Sequence, residues 1–134
     1  MEEVIKFLKE NRLGFLASVD NGKPRVRPWA FMLEEKGKLY FCTNTTKDAY
    51  KQLKNVPYIE FSCTNKEVNT WLRLSGKITF SEDRKIKEKI IESNDPLKNM
   101  YKSADNPIFT IFFLEHGNAS IWSFSAQTPK KFEF

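Results

Sequence analysis

The chain is poor in the residues from which metal sites, disulfide frameworks and hydrolytic triads are built. Its 134 residues include one histidine and two cysteines. His116 stands alone beside Gly117-Asn118, with no companion ligands that could complete a metal shell, so no metal site is expected. Without a placed nucleophile, the same histidine gives no ground for Ser-His-Asp or Cys-His chemistry. Cys42 and Cys63 lie far apart and form no C-x-x-C pair. One disulfide is arithmetically open, and two reduced thiols on strands is the plainer reading. No apolar run approaches the ~18 residues needed to cross a bilayer, and Met1-Glu-Glu-Val lacks the character of a secretory leader. A cytoplasmic protein without membrane contact is expected. Internal repeats, low-complexity tracts and linkers are also missing, so residues 1–134 read as one domain.

What the chain does contain is a core and a surplus of positive charge. Hydrophobic residues make up 40% and charged residues 29%, the balance of a soluble globular protein. A net charge of +5 favours anionic partners. Much of the surplus is diluted, because Lys85, Lys87 and Lys89 alternate with Glu82, Asp83, Glu88 and Glu92 in a pattern typical of a solvated helix face.

Periodicity sets out the elements. Val4, Ile5, Phe7 and Leu8 predict an amphipathic helix stopping near Leu13-Gly14, with Glu2 and Glu3 at its positive end. Phe15 to Val19 reads as a buried strand, Asp20-Asn-Gly22 as a hairpin turn, and Lys23 to Leu33 as the returning strand. Pro24 and Pro28 in that strand call for irregular pairing or an edge, since proline cannot donate to a ladder. Glu34 to Gly37 turns the chain into a strand at Leu39 to Cys42, followed by a short helix from Asp48 to Lys54. Tyr58 to Cys63 and Thr70 to Phe80 are further strands, the second with Trp71, Arg73 and Ser75 on one face and a bulge or close approach at Gly76. Ser81 is placed to cap a helix from Glu82 to Glu92, and Asp95-Pro96 starts a helical turn through Tyr101. Strands at Ile108 to Leu114 and Ala119 to Phe124 close the domain. The fold class is mainly β (α+β): an antiparallel barrel of six or seven strands with peripheral helices. Ile108 to Leu114 is apolar on both faces, so its outer face needs cover from a helix of the same chain or from a second subunit. The twelve phenylalanines make a homodimer attractive.

Two segments carry chemistry. In Arg25-Val-Arg27-Pro-Trp29, strand alternation puts Arg25, Arg27 and Trp29 on one face at spacings of about 7 Å, two guanidiniums beside an indole. In Cys42-Thr-Asn-Thr-Thr-Lys47, the chain leaves a strand and enters a helix, so hydroxyls, a lysine and free helix-start amides converge where a phosphate could bind. A lysine at that end opposes the helix dipole and so invites an anion. A phosphorylated aromatic cofactor is implied, with FMN the first candidate.

These segments, in this order, resemble the pyridoxamine 5'-phosphate oxidase-like FMN-binding split barrels, and within them the small single-domain branch that includes nitroimidazole-resistance reductases. The resemblance rests on Gly14-Phe-Leu-Ala-Ser-Val19, Gly22 to Trp29, Leu39 to Asn44, Lys47 to Pro57 and the Gly76-Lys-Ile strand. It implies a flavin groove between two subunits, lined by Arg25, Val26, Arg27 and Pro28. It also places Thr43 and Asn44 near the phosphate end, Lys47 on the phosphate, Trp71 against the flavin, and Trp122 at the flavin from the last hairpin, across the dimer. Three departures accompany it. The chain lacks the C-terminal segment with which the vitamin-processing oxidases hold pyridoxal phosphate. Their serine-arginine-lysine signature appears as Thr45-Thr-Lys47. The histidine distinctive of nitroimidazole reductases has no counterpart.

The resulting expectation is a homodimeric FMN-binding flavoprotein, an oxidoreductase for an unidentified small quinone-like or nitroaromatic molecule. Tyr50, Tyr58 and Tyr101 are candidate acids that no spacing separates, so the catalytic residue is open. The alternatives are the same barrel holding a deazaflavin or haem, or binding flavin without turnover. A nucleic-acid-binding β-barrel stacking bases on Trp29, Tyr40 and Trp71 is a further one. Against that last reading, most phenylalanines lie in core-like runs and the lysines on a mixed-charge helix, so no nucleic-acid partner is expected.

Overall fold

A computed structural model describes residues 1–134. The amino-terminal helix α1 (Glu2–Glu10) keeps Glu2 and Glu3 in its first turn and buries Val4 and Leu8. It packs against strands later in the chain and ends earlier than its periodicity suggests, at Glu10, where the first strand's pairing begins to compete. That strand, β1 (Leu13–Asp20), joins β2 (Lys23–Ala30) in one-to-one register from Asp20↔Lys23 to Leu13↔Ala30. The turn between them has φ +50° at Asn21 and +78° at Gly22, the twisted two-residue geometry that Asn-Gly favours. β2 lies at the edge of the sheet, which is how the two prolines are accommodated; the pairing itself is regular.

The expected strand from Lys23 to Leu33 is interrupted at Phe31-Met32. Met32 N–H leaves the β1 side and donates to Tyr40 O at 2.9 Å. A separate short strand, β3 (Leu33–Glu35), then pairs with β4 (Lys38–Asn44) through a Lys36-Gly37 turn of positive φ. Helix α2 (Asp48–Asn55) leads to β5 (Tyr58–Thr64) and the twelve-residue β6 (Thr70–Ser81). Next come α3 (Arg84–Glu92), α4 (Asp95–Tyr101), β7 (Phe109–Leu114) and β8 (Asn118–Ser123), and then a strand not foreseen from sequence, β9 (Lys130–Glu133). The α3 cap is Asp83, whose carboxylate accepts from Lys85 and Ile86 N–H; Ser81 belongs to β6.

The strands run β2-β1-β5-β6-β7-β4-β3, with β8 on β6 and β9 on β8. β6 is the hinge of the architecture. One of its edges pairs with β5 over Trp71–Lys77, while the other pairs with β8 over Thr70–Ser75 and with β7 over Ile78–Ser81. Gly76 sits at the changeover, where a Cβ would come within 2.7 Å of His116 O. Close approach is therefore its reason, and on that edge the register slips by one residue between Ile78↔Leu114 and Ser75↔Asn118, while the β5 edge stays regular. The sheet curls into a barrel but does not close: β2 and β4 face each other across a split without a ladder.

Two cores result. Sixteen residues, including Leu16, Phe41, Phe61, Leu72 and Phe112, fill the barrel. Eight others, including Tyr40, Ile86, Ile90, Phe109 and Ile111, form a second core under α3 and α4. Every residue of β7 is buried, and its outer face is covered by these helices of the same chain. That strand therefore needs no second subunit to cover it. The apolar surface that does remain open is elsewhere: Leu13, Phe15 and Val26 are 71%, 57% and 64% exposed on the outer face of β1 and β2. No helix is long and apolar enough to cross a membrane.

Candidate functional site

At the split, β2, β4 and the start of α2 enclose a groove of about 570 Å³, lined by Arg27, Pro28, Trp29, Cys42, Thr46 and Lys47 among others. That volume lies in the range of small-ligand clefts. Trp29 forms one wall. Its ring meets Phe112 edge-on at 5.8 Å, and its indole N–H donates to Cys42 O at 2.9 Å, bridging the strands that no ladder joins.

The groove's other end is cationic. The β4–α2 loop is held by Asn44, which donates to Tyr101 Oη at 2.8 Å and accepts from Thr46 N–H and Thr46 Oγ1. Thr46 and Lys47 are thereby presented at the start of α2. Lys47 is the cap residue, in extended conformation, and no side chain accepts from the helix's first amides. Those amides and the Lys47 ammonium make a ready anion site, with the Thr46 hydroxyl beside it already donating to Asn44. Lys47 and Arg27 take part in no ion pair, so their charge is not cancelled by a partner. Asp48, at the rim, supplies the groove's one carboxylate. Burial pushes the Cys42 thiol up to about 12, against the opposing pull of Lys47, so it lines the groove as a neutral group.

The residues named from sequence divide into four sets. Arg27, Pro28 and Lys47 come together in the groove. Arg25 instead reaches back to Asp20 at 3.2 Å near the hairpin turn, and Val26 points to the outer face; neither lines the groove. Thr43 and Asn44 are buried. Asn44 acts on the loop, whereas Thr43 stands opposite Thr110 with its Oγ1 left without a hydrogen-bond partner. Trp71 and Trp122 face each other across β6 and β8, stacked at 6.1 Å and 7°, with Arg73 over Trp122. Within one chain they belong to a different surface, where Trp122 borders a smaller hollow of about 290 Å³. Sequence reasoning missed Met32 and Cys42 as lining residues, and it missed Gln52, which accepts from Arg27 at 2.9 Å. Trp29 was legible as a neighbour of Arg27 on one strand face. Gln52 gave no signal, being one of several polar residues on a short helix.

A sequence model of the pyridoxamine 5'-phosphate oxidase family matches residues 1–115. The chain belongs to this family. A NimC/NimA family protein from Clostridium acetobutylicum is 36% identical and superposes with a TM-score of 0.89 over 100% of this chain and 92% of its own. General stress protein 26 of Bacillus subtilis is 24% identical over 98% of this chain and 94% of its length. Two more distant structures share the fold. One is a pyridoxamine 5'-phosphate oxidase-related, FMN-binding protein from Nostoc punctiforme (15% identity, TM-score 0.71, 96% of this chain and 82% of that one). The other is a haem-binding protein from Mycobacterium smegmatis (13%, 0.79, 98% and 57%). The oxidase-like split barrel expected from the sequence is thus the architecture observed, with nine strands instead of six or seven.

Proposed function

We propose that the protein is an FMN-binding flavoprotein, a homodimeric oxidoreductase for a small quinone-like or nitroaromatic molecule. The observation that carries this reading is the groove itself: two cations free of acidic partners and a helix start at one end, a half-buried indole and Pro28 along the wall. A phosphate fits the first and a flat ring the second. Flavin, when bound, supplies hydride or electron transfer. The chain's part is to anchor the phosphate through Lys47, Arg27 and the first amides of α2, to set the ring against Trp29, and to keep water off one side.

A second copy belongs beside the groove. Pro28 and Ala30 line the groove, and their cross-strand neighbours Phe15 and Leu13 belong to the exposed apolar face. A partner on that face would border the ligand and withdraw those side chains from water. This face, not β7, is the proposed dimer surface. Light scattering should give twice the chain's mass, and Phe15→Glu should give monomers; a monomeric parent protein would remove the homodimer.

Haem in the same groove is less well served. His116 lines another hollow, beside Met1 and Phe134, and the Cys42 thiol keeps its proton at neutral pH. Purified protein titrated with FMN should acquire the two absorbance bands of bound flavin, at about 370 and 450 nm, a property of the cofactor. A protein that stays colourless in excess FMN refutes the proposal.

A further inference from the structure

The chain has five arginines. Arg25, Arg73 and Arg84 pair with carboxylates, of Asp20, of Glu60, and of Glu88 and Asp105. Arg12 donates to the backbone carbonyls of Phe31 and Met32. Arg27 alone is held by neutral side chains. Its Nη2 donates to Gln52 Oε1 at 2.9 Å and its Nη1 to Ser18 Oγ at 3.2 Å. The Ser18 hydroxyl in turn donates to Gln52 Oε1 at 3.3 Å, closing a ring of three side chains. Ser18 is buried on β1, so it gives the ring a fixed base.

This arrangement aims the guanidinium without neutralising it. A carboxylate in place of the amide would hold Arg27 equally well, but it would cancel the charge that the groove offers to an anion. Gln52 lies on the helix whose start presents Lys47, so α2 supplies one cation directly and orients the other. We propose that Gln52 is a specificity-determining positioning residue: through Arg27 it makes the groove prefer the phosphorylated form of its ring ligand over the unphosphorylated form. The proposal rests on the flavin-phosphate reading above and adds to it a residue outside the groove lining.

The test compares FMN with riboflavin, which lacks the phosphate, by quenching of flavin fluorescence in wild type and in Gln52→Glu. The isosteric carboxylate should weaken FMN by about tenfold or more and flatten its salt dependence, while riboflavin affinity stays within about twofold. Gln52→Met, which frees Arg27 without cancelling it, should cost FMN a smaller factor and leave riboflavin unaffected. A merely structural role would move both ligands together. Parallel losses, or no loss for either, overturn the proposal while leaving flavin binding in place. If wild type binds neither flavin, inorganic phosphate followed by calorimetry decides separately. Phosphate binding lost in Gln52→Glu keeps the role of Gln52 and refutes the flavin, and no phosphate binding overturns both.

Discussion

Replacing Trp29 by phenylalanine tests how the split barrel is held at its opening. β4 has β7 on one edge, but on the other β3 reaches only from Lys38 to Tyr40. Beyond that point, Cys42 O meets the Trp29 indole N–H at 2.9 Å. Phenylalanine keeps an edge-on contact with Phe112 and deletes this bond. A net hydrogen bond contributes about 0.5–1.5 kcal/mol, and a half-buried carbonyl left without a donor adds to the loss, so about 1–2 kcal/mol is expected. For a domain of this size that corresponds to a fall in Tm of about 4–7 °C. The control is Trp122→Phe, whose indole N–H donates only to Ser120 Oγ on the same strand, so that its loss removes no hydrogen bond between strands while an aromatic ring stays beside Trp71. Thermal and urea melts at one protein concentration should rank wild type and Trp122→Phe close together, with Trp29→Phe clearly below. Equal losses in the two variants would show that the indole bridge does not hold the opening.

Three further outcomes follow from the same geometry. Arg27→Ala with Lys47→Ala should weaken FMN by about a hundredfold to ten-thousandfold, at about 1.5–3 kcal/mol for each of two charged hydrogen bonds, whereas Arg25→Ala should leave equilibrium FMN binding unchanged. Equal losses from Arg25→Ala would relocate the anion site toward the hairpin. Gly76→Ala forces a Cβ to within 2.7 Å of His116 O, backbone that cannot swing away, and should cost about 1–3 kcal/mol in urea melts; a neutral effect would deny the close approach of β6 to the β7–β8 turn. Alkaline pH should destabilise the fold, because burial pushes both Cys42 and Cys63 from the ordinary 9.0 up to about 12. Between those values the native thiols keep protons that the unfolded chain has lost. Stability therefore falls as pH rises, by about 1.4 kcal/mol per unit for each thiol. Urea midpoints from pH 8 to 10.5 should slope downward, and Cys42→Ala with Cys63→Ala should flatten the slope; an unchanged slope would assign the loss to other groups.

The sequence announces most elements because their signals are local. Asn21-Gly22 specifies its turn, the pair Pro24 and Pro28 marks an edge, and Val4 with Leu8 marks a helix face. Signals fail where the deciding partner is distant. Lys130-Lys-Phe-Glu133 is short and polar, and becomes a strand only because β8 offers a free edge. The doubly apolar β7 announced that its outer face was covered without saying by what, since α3 and α4 are amphipathic enough to do it alone. Ser81 and Asp83 are both good caps, and the length of β6 decided between them. At the site, Arg27 and Lys47 were legible from strand alternation and a helix start, and Pro28 only through the family resemblance. Arg25 was misdirected by the same alternation, which gives a face but not the reach of a side chain toward Asp20. The Gln52–Arg27 contact spans 25 positions and had no local sign.

A crystal structure grown with FMN tests the central claim most directly. The phosphate should lie within hydrogen-bond distance of Lys47 Nζ, the Arg27 guanidinium and the first amides of α2, with the ring system along Trp29 and Pro28. Density for the ligand at the Trp71–Trp122 surface alone, or a groove left empty in saturating FMN, would contradict the account.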